Sequence, residues 1–185
     1  MLLIVPVLAG VLQLYAVDGG NSVDAVSSAT QEWKMPPSGY DYTVSYVVGI
    51  EGYVIVYNDN LYRGGAITAQ GASRLKDFGV KTVISIAPDQ AVEEACKSAG
   101  LTFVSFPFDR KVLPKEILNA FLEIIKTNKG GFYIHSKEEQ QRAGVFAAAY
   151  RMYIEKWTFD KAIIEYARIG GNLKNHDRML KGLIL

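Results

Sequence analysis

Three residues in one short segment have the types and spacing to handle an anion: His135, Ser136 and Arg142. Residues 130–144 run Gly-Gly-Phe-Tyr-Ile-His-Ser-Lys-Glu-Glu-Gln-Gln-Arg-Ala-Gly. Phe132, Tyr133 and Ile134 read as an apolar strand, Ser136, Lys137, Glu138, Glu139, Gln140 and Gln141 as a polar loop, and Arg142 as the opening of a helix rich in alanine and aromatic residues. Amides at a helix N-terminus point into such a loop and the macrodipole favours negative charge there. The arginine adds a planar fork that matches an oxyanion. Ser136 is the only aliphatic hydroxyl in the segment, and a serine hydroxyl stays protonated at neutral pH unless a base lies against it. His135 is poorly placed for that work, because successive strand residues point to opposite faces. The strand-loop-helix layout of the segment therefore suits an anion.

The elements that must position this segment alternate along the chain. A Tyr- and Val-rich stretch at 42–57, divided by Gly49 and Gly52, predicts two strands, and Asn58-Asp59-Asn60 a turn. Thr68 can cap a helix whose Ala72, Leu75 and Phe78 share a face and which ends at Gly79. Residues 81–87 form a β-branched strand. Val92, Ala95, Cys96 and Ala99 give an apolar helix face that stops at Gly100. A strand follows over 101–108. Pro114 then opens a helix with Ile117, Leu118, Phe121, Ile124 and Ile125 on one face. After the strand of 132–134 come helices over 142–154 and 159–169, and a short one near 177–183. This alternation predicts an α/β fold: a central, largely parallel sheet flanked by helices.

The order of several motifs over residues 57–171 resembles the bacterial dual-specificity and tyrosine phosphatase-like proteins, a cysteine-dependent phosphatase family. The spacing His135-Ser136-(five residues)-Arg142 is similar to that family's His-Cys-x5-Arg signature. Leu61-Tyr62-Arg63-Gly64-Gly65 resembles its first strand motif, Phe78-Gly79-Val80-Lys81-Thr82-Val83-Ile84 its next strand, and Phe106-Pro107-Phe108-Asp109 the mobile loop that carries its acid. Trp157-Thr158-Phe159-Asp160-Lys161-Ala162 matches the helix start that follows the active-site helix. The resemblance implies that Arg142 clamps phosphate, that Asp109 is the acid, and that Ser136 stands where the family keeps its nucleophilic cysteine.

Two more departures fall in the same loop. Glu139 stands where the family has glycine; a positive φ there costs a side chain about 1–2 kcal/mol. A carboxylate about 6 Å from a bound anion adds repulsion of roughly 2.8 kcal/mol per charge pair at an effective dielectric of about 20. Ala143 follows Arg142 where the family has Ser or Thr. Glu138 and Glu139 are also near enough in sequence to lock Arg142 in a salt bridge. The resemblance therefore implies a catalytically impaired pseudophosphatase acting through a phosphorylated ligand or protein partner. The rival readings are a phosphoester hydrolase of low rate and a purely structural interaction domain.

Composition bounds the rest. The chain has 185 residues, 20 Lys and Arg against 19 Asp and Glu, and a net charge of +1, which gives no electrostatic footprint for nucleic acid. One cysteine, Cys96, cannot form an intramolecular disulfide; on the apolar face of a helix it reads as a small hydrophobe. Two histidines and one cysteine, widely spaced, predict no metal site, and no cofactor is expected. Residues 1–16 are apolar and read as a signal or anchor segment, too short for a confident membrane span, so the chain is expected to be exported and to meet a membrane only there. Residues 17–35 read as a linker and 36–185 as the phosphatase-like domain.

Overall fold

The computed structural model describes residues 41–58, 60–86, 89–107, 112–136 and 140–184. The expected leader and linker, 1–16 and 17–35, lie outside these residues. The elements in order are β1 (Thr43–Ser45), β2 (Val54–Asn58), β3 (Leu61–Gly64), α1 (Ala69–Asp77), β4 (Val80–Ser85), α2 (Gln90–Ala99), β5 (Thr102–Ser105), α3 (Lys115–Thr127), β6 (Gly131–His135), α4 (Gln140–Tyr153), α5 (Phe159–Arg168) and α6 (Leu173–Lys181).

Local chemistry accounts for the boundaries. The Asn58 side chain accepts from the Asn60 and Leu61 amides, which turns β2 into β3. Thr68 caps α1 through the Gly71 amide, Asp89 caps α2 through Val92, Thr158 caps α5 through Lys161, and Asn172 caps α6 through Asn175. Gly100 ends α2 at φ 74, and Pro114 precedes the first turn of α3.

The six strands form one sheet in the order β1-β2-β3-β6-β4-β5. β3, β6, β4 and β5 are mutually parallel, and β1 and β2 add an antiparallel edge. Alternation along each strand divides the core between two faces. Val83 and Tyr133 join Ala72 and Leu75 of α1 and Val92 and Cys96 of α2 on one side. Ile84, Phe132 and Ile134 meet Leu118 and Phe121 of α3, the body of α4, Tyr166 of α5 and Met179 of α6 on the other. Every residue from Arg142 to Arg151 is buried, so α4 is covered all round. Ala147, Ala148 and Ala149 leave room for its neighbours to close on it.

The α/β expectation, with its largely parallel sheet, is met. Phe78 departs from its expected place: it is the C-cap of α1 and 48% exposed, because the helix stops at Asp77 before another turn can carry it inward. The last helix starts four residues earlier than periodicity suggests, at Leu173, where the Asn172 cap fixes it.

Candidate active site

The parallel strands end in a row of polar or small residues. Gly64 of β3 is opposite His135 of β6, His135 is opposite Ser85 of β4, and Ser85 is opposite Ser105 of β5. Apolar strand interiors thus give way to polar ends on one rim of the sheet, the rim where open α/β sheets bind ligands. Ser136 follows directly on β6 and is 1% exposed. Arg142 lies in the first turn of α4 and is 4% exposed. A hydroxyl and a guanidinium are therefore both withdrawn from bulk water, at the two ends of the segment joining the central strand to the central helix.

His135 is fully buried. Neither ring nitrogen makes a well-formed hydrogen bond among the described residues. Burial pushes its pKa below the ordinary histidine value, against the opposing pull of Asp89 and of the Gly65 backbone. The imidazole is thus held neutral. It belongs to the same strand face as Tyr133, whose hydroxyl donates to the Gly65 carbonyl at 2.8 Å. The close pass of β3 beside this tyrosine needs glycine: a Cβ on Gly64 would sit 2.4 Å from the Tyr133 hydroxyl.

Of the candidate site residues, Ser136 directly follows β6 at this rim and Arg142 lies in the first turn of α4. Gln140 and Gln141 open α4. Asp109, Lys137, Glu138 and Glu139 lie outside the described residues. Cys96 is buried on α2, and burial pushes its thiol up to about 11, with Glu93 adding to the rise, so it is an inert hydrophobe in this fold. Tyr150, Met152 and Tyr153 pack into or against the α4-side core. Among the described residues no group of three or more His, Cys, Asp or Glu is arranged to hold a metal ion.

Sequence reading treated Arg63 only as part of a motif, yet it is one of the largest fully buried side chains, at 2% exposure. In sequence it stands out only as a charge inside the apolar strand Leu61-Tyr62-Arg63; the room for it comes from Gly144 of α4, far along the chain. The hydrogen-bonded Arg151 network also escaped it. Arg151 on α4 donates to both carboxylate oxygens of Glu165 at 2.9 and 2.8 Å, to Glu155 at 2.5 Å and to the Asp41 carbonyl at 2.7 Å. Its guanidinium is also stacked 5.0 Å from the Tyr57 ring and 4.2 Å from the Trp157 ring.

Helix N-termini and arginines are the groups that hold oxyanions in proteins, and here a buried hydroxyl ends the central strand and a buried arginine lies in the first turn of the helix that follows. Known proteins carry the same architecture. TpbA, a dual specificity protein phosphatase of Pseudomonas aeruginosa, is 30% identical over 112 residues, covering 60% of this chain and 51% of that protein. The chloroplastic NAD kinase 2 of Arabidopsis thaliana is 27% identical over 105 residues, covering 51% of this chain and 11% of that much longer protein. The chain thus spans at most about half the length of these curated relatives. The crystal structure of P. aeruginosa TpbA superposes with a TM-score of 0.62 at 24% identity, over 75% of this chain and 89% of that one, and shares the fold. A cysteine-to-serine variant of TpbA, solved in complex with phosphotyrosine, gives 0.64 at 24% identity over 78% and 91%. Residues 56–178, well over half of the chain, match the family described as DSP-PTPase phosphatase fused to NAD+ kinase. The chain belongs to this dual-specificity and tyrosine phosphatase-like family.

Proposed function

We propose that this domain is a catalytically impaired phosphatase that acts by binding a phosphomonoester, with phosphotyrosine the simplest case. The carrying observation is the pair of buried ends of one segment: Ser136 after β6 and Arg142 in the first turn of α4. In this reading Ser136 occupies the position of the family's nucleophile. A hydroxyl there can donate a hydrogen bond to a phosphoryl oxygen, but it lacks the thiolate that attacks phosphorus, and the neutral His135 beside it is buried on the strand. That a cysteine-to-serine TpbA was solved with phosphotyrosine supports binding without turnover for a loop of this kind. Glu138 and Glu139 lie four and three residues before Arg142 in sequence, close enough to compete for it and to repel a dianion, so weak affinity is expected of the parent chain.

Calorimetric titration with phosphotyrosine tests the proposal on the parent, on Arg142→Ala, and on Glu138→Gln with Glu139→Gln. Weak saturable binding by the parent, its loss in Arg142→Ala and its strengthening in the glutamine variant are expected. Absence of binding in all three would leave the domain a structural interaction module, the reading in which Arg142 is neutralised internally.

A further inference from the structure

The core beside α4 contains two arginines in opposite circumstances. Arg151 is saturated by two carboxylates and a carbonyl. Arg63, equally buried, has one long contact: its Nη2 donates to the Ile169 carbonyl at 3.5 Å. Its guanidinium lies 6.0 Å from the Tyr57 ring, and its Nε makes no hydrogen bond among the described residues. No carboxylate pairs with it among those residues. The tyrosines near it do not offset the charge. Burial pushes the Tyr57 hydroxyl up to about 12 and the Tyr133 hydroxyl well above the usual value, so both stay neutral. Among the described residues, Arg63 is answered by the negative end of the α5 dipole, at Ile169, and by the face of the Tyr57 ring.

This charge sits directly behind the candidate site. Arg63 pairs with Ile134 in the parallel register, two residues before Ser136. Its side chain reaches up under α4 at Gly144, two residues beyond Arg142: a Cβ on Gly144 would sit 2.3 Å from Nη1. Two residues of rise along the strand and one inter-strand spacing put the Arg63 and Ser136 Cα atoms on the order of 8 Å apart. Between them lies protein interior, where a charge is screened far less than in water.

We propose that Arg63 is a second, buried positive charge of the anion site, one that raises the potential at Ser136 without touching a ligand. This rests on reading the rim as an oxyanion site, and the direct probe of it needs no ligand. An unpaired buried charge is costly to the fold, so an apolar replacement of similar length does not destabilise it, whereas losing the potential weakens the site.

A thiol placed at position 136 reports that potential. The thiolate absorbance of Ser136→Cys is titrated from about pH 4 to about pH 10, alone and combined with Arg63→Lys, Arg63→Met or Arg63→Gln. Cys96, pushed up to about 11, stays mostly protonated over this range. The other charges close to the position in sequence (Glu138, Glu139 and Arg142) and the Asp89 charge felt by His135 are common to all forms and cancel in the comparison. Arg63→Met and Arg63→Gln should each raise the thiol pKa by about one unit, the effect of a unit charge about 10 Å away at an effective dielectric of about 20. Arg63→Lys should leave it near the Ser136→Cys value, and the melting temperature of Arg63→Met should equal or exceed the parent's. Equal pKa values in all forms, or an equal rise in Lys, Met and Gln, would overturn the proposal and make Arg63 a packing residue. Phosphate titration of the same proteins separates the two claims. A shifted thiol without phosphate binding upholds the buried charge and defeats the oxyanion reading of the rim.

Discussion

At position 136 a single atom separates a hydroxyl from a thiol, and the chemistry of the rim turns on it. Ser136→Cys supplies the atom but leaves Glu139 in the loop and Ala143 behind Arg142. The single exchange is therefore expected to give little turnover, and Ser136→Cys with Glu139→Gly and Ala143→Thr to give at least tenfold more, read as phosphate release from an aryl phosphate. Tenfold corresponds to about 1.4 kcal/mol, less than the roughly 2.8 kcal/mol assigned to one carboxylate facing the dianion. Full activity from the single exchange would show that the loop tolerates Glu139. His135 carries a separate signature. Its folded pKa is lowered, so below about 6.5 the unfolded chain binds the proton more readily than the folded one, and stability falls as pH drops from there towards the folded value. Thermal unfolding from neutral pH to about 5 should show this decline, and His135→Asn should flatten it. An unchanged slope in the variant would assign the decline to other groups.

Among the elements, β3 and α4 meet through one missing side chain. Gly144 allows the Arg63 guanidinium beneath the helix and the Tyr166 ring beside it, with a Cβ placed 2.3 Å from the first and 3.0 Å from the second. Gly144→Ala should destabilise by about 1–3 kcal/mol. Shortening the obstacle in Arg63→Ala should reduce that loss, so the double-mutant cycle gives a coupling of about 0.5–3 kcal/mol. Strict additivity would mean that the helix shifts as a body and the two residues do not compete for space. Such contacts explain what sequence could and could not yield. Caps and periodic faces are local: Thr68, Gly100 and the Leu118-Phe121-Ile125 stripe were legible because each depends on residues within a turn or two. Arg63 was not, because its burial depends on a glycine 81 positions away, in the helix packed over its strand. Phe78 was misplaced for the complementary reason: periodicity places a side chain on a face but does not say where the helix stops.

At the scale of the whole molecule, Arg151 joins α4 to α5, to the end of α4 at Glu155 and to the backbone of Asp41 ahead of β1. Both Arg151 and Glu165 are buried, so truncating the arginine strands a carboxylate in the core. Arg151→Ala should cost about 3–5 kcal/mol by denaturant unfolding, in contrast to the neutral or stabilising Arg63→Met. Losses of equal size at the two positions would contradict the distinction between a structural charge and one that serves the site. The α/β fold, a largely parallel sheet flanked by helices, was readable from alternation and motif order. The openness of the site was not, since it depends on how Glu138 and Glu139 stand relative to Arg142. The central claim, that a phosphatase fold here binds without turning over, is tested most directly by phosphate release from an aryl phosphate by the parent chain beside Ser136→Ala. Both should run at the background rate. Release above background by the parent, lost on Ser136→Ala, would contradict the account and make Ser136 a working nucleophile.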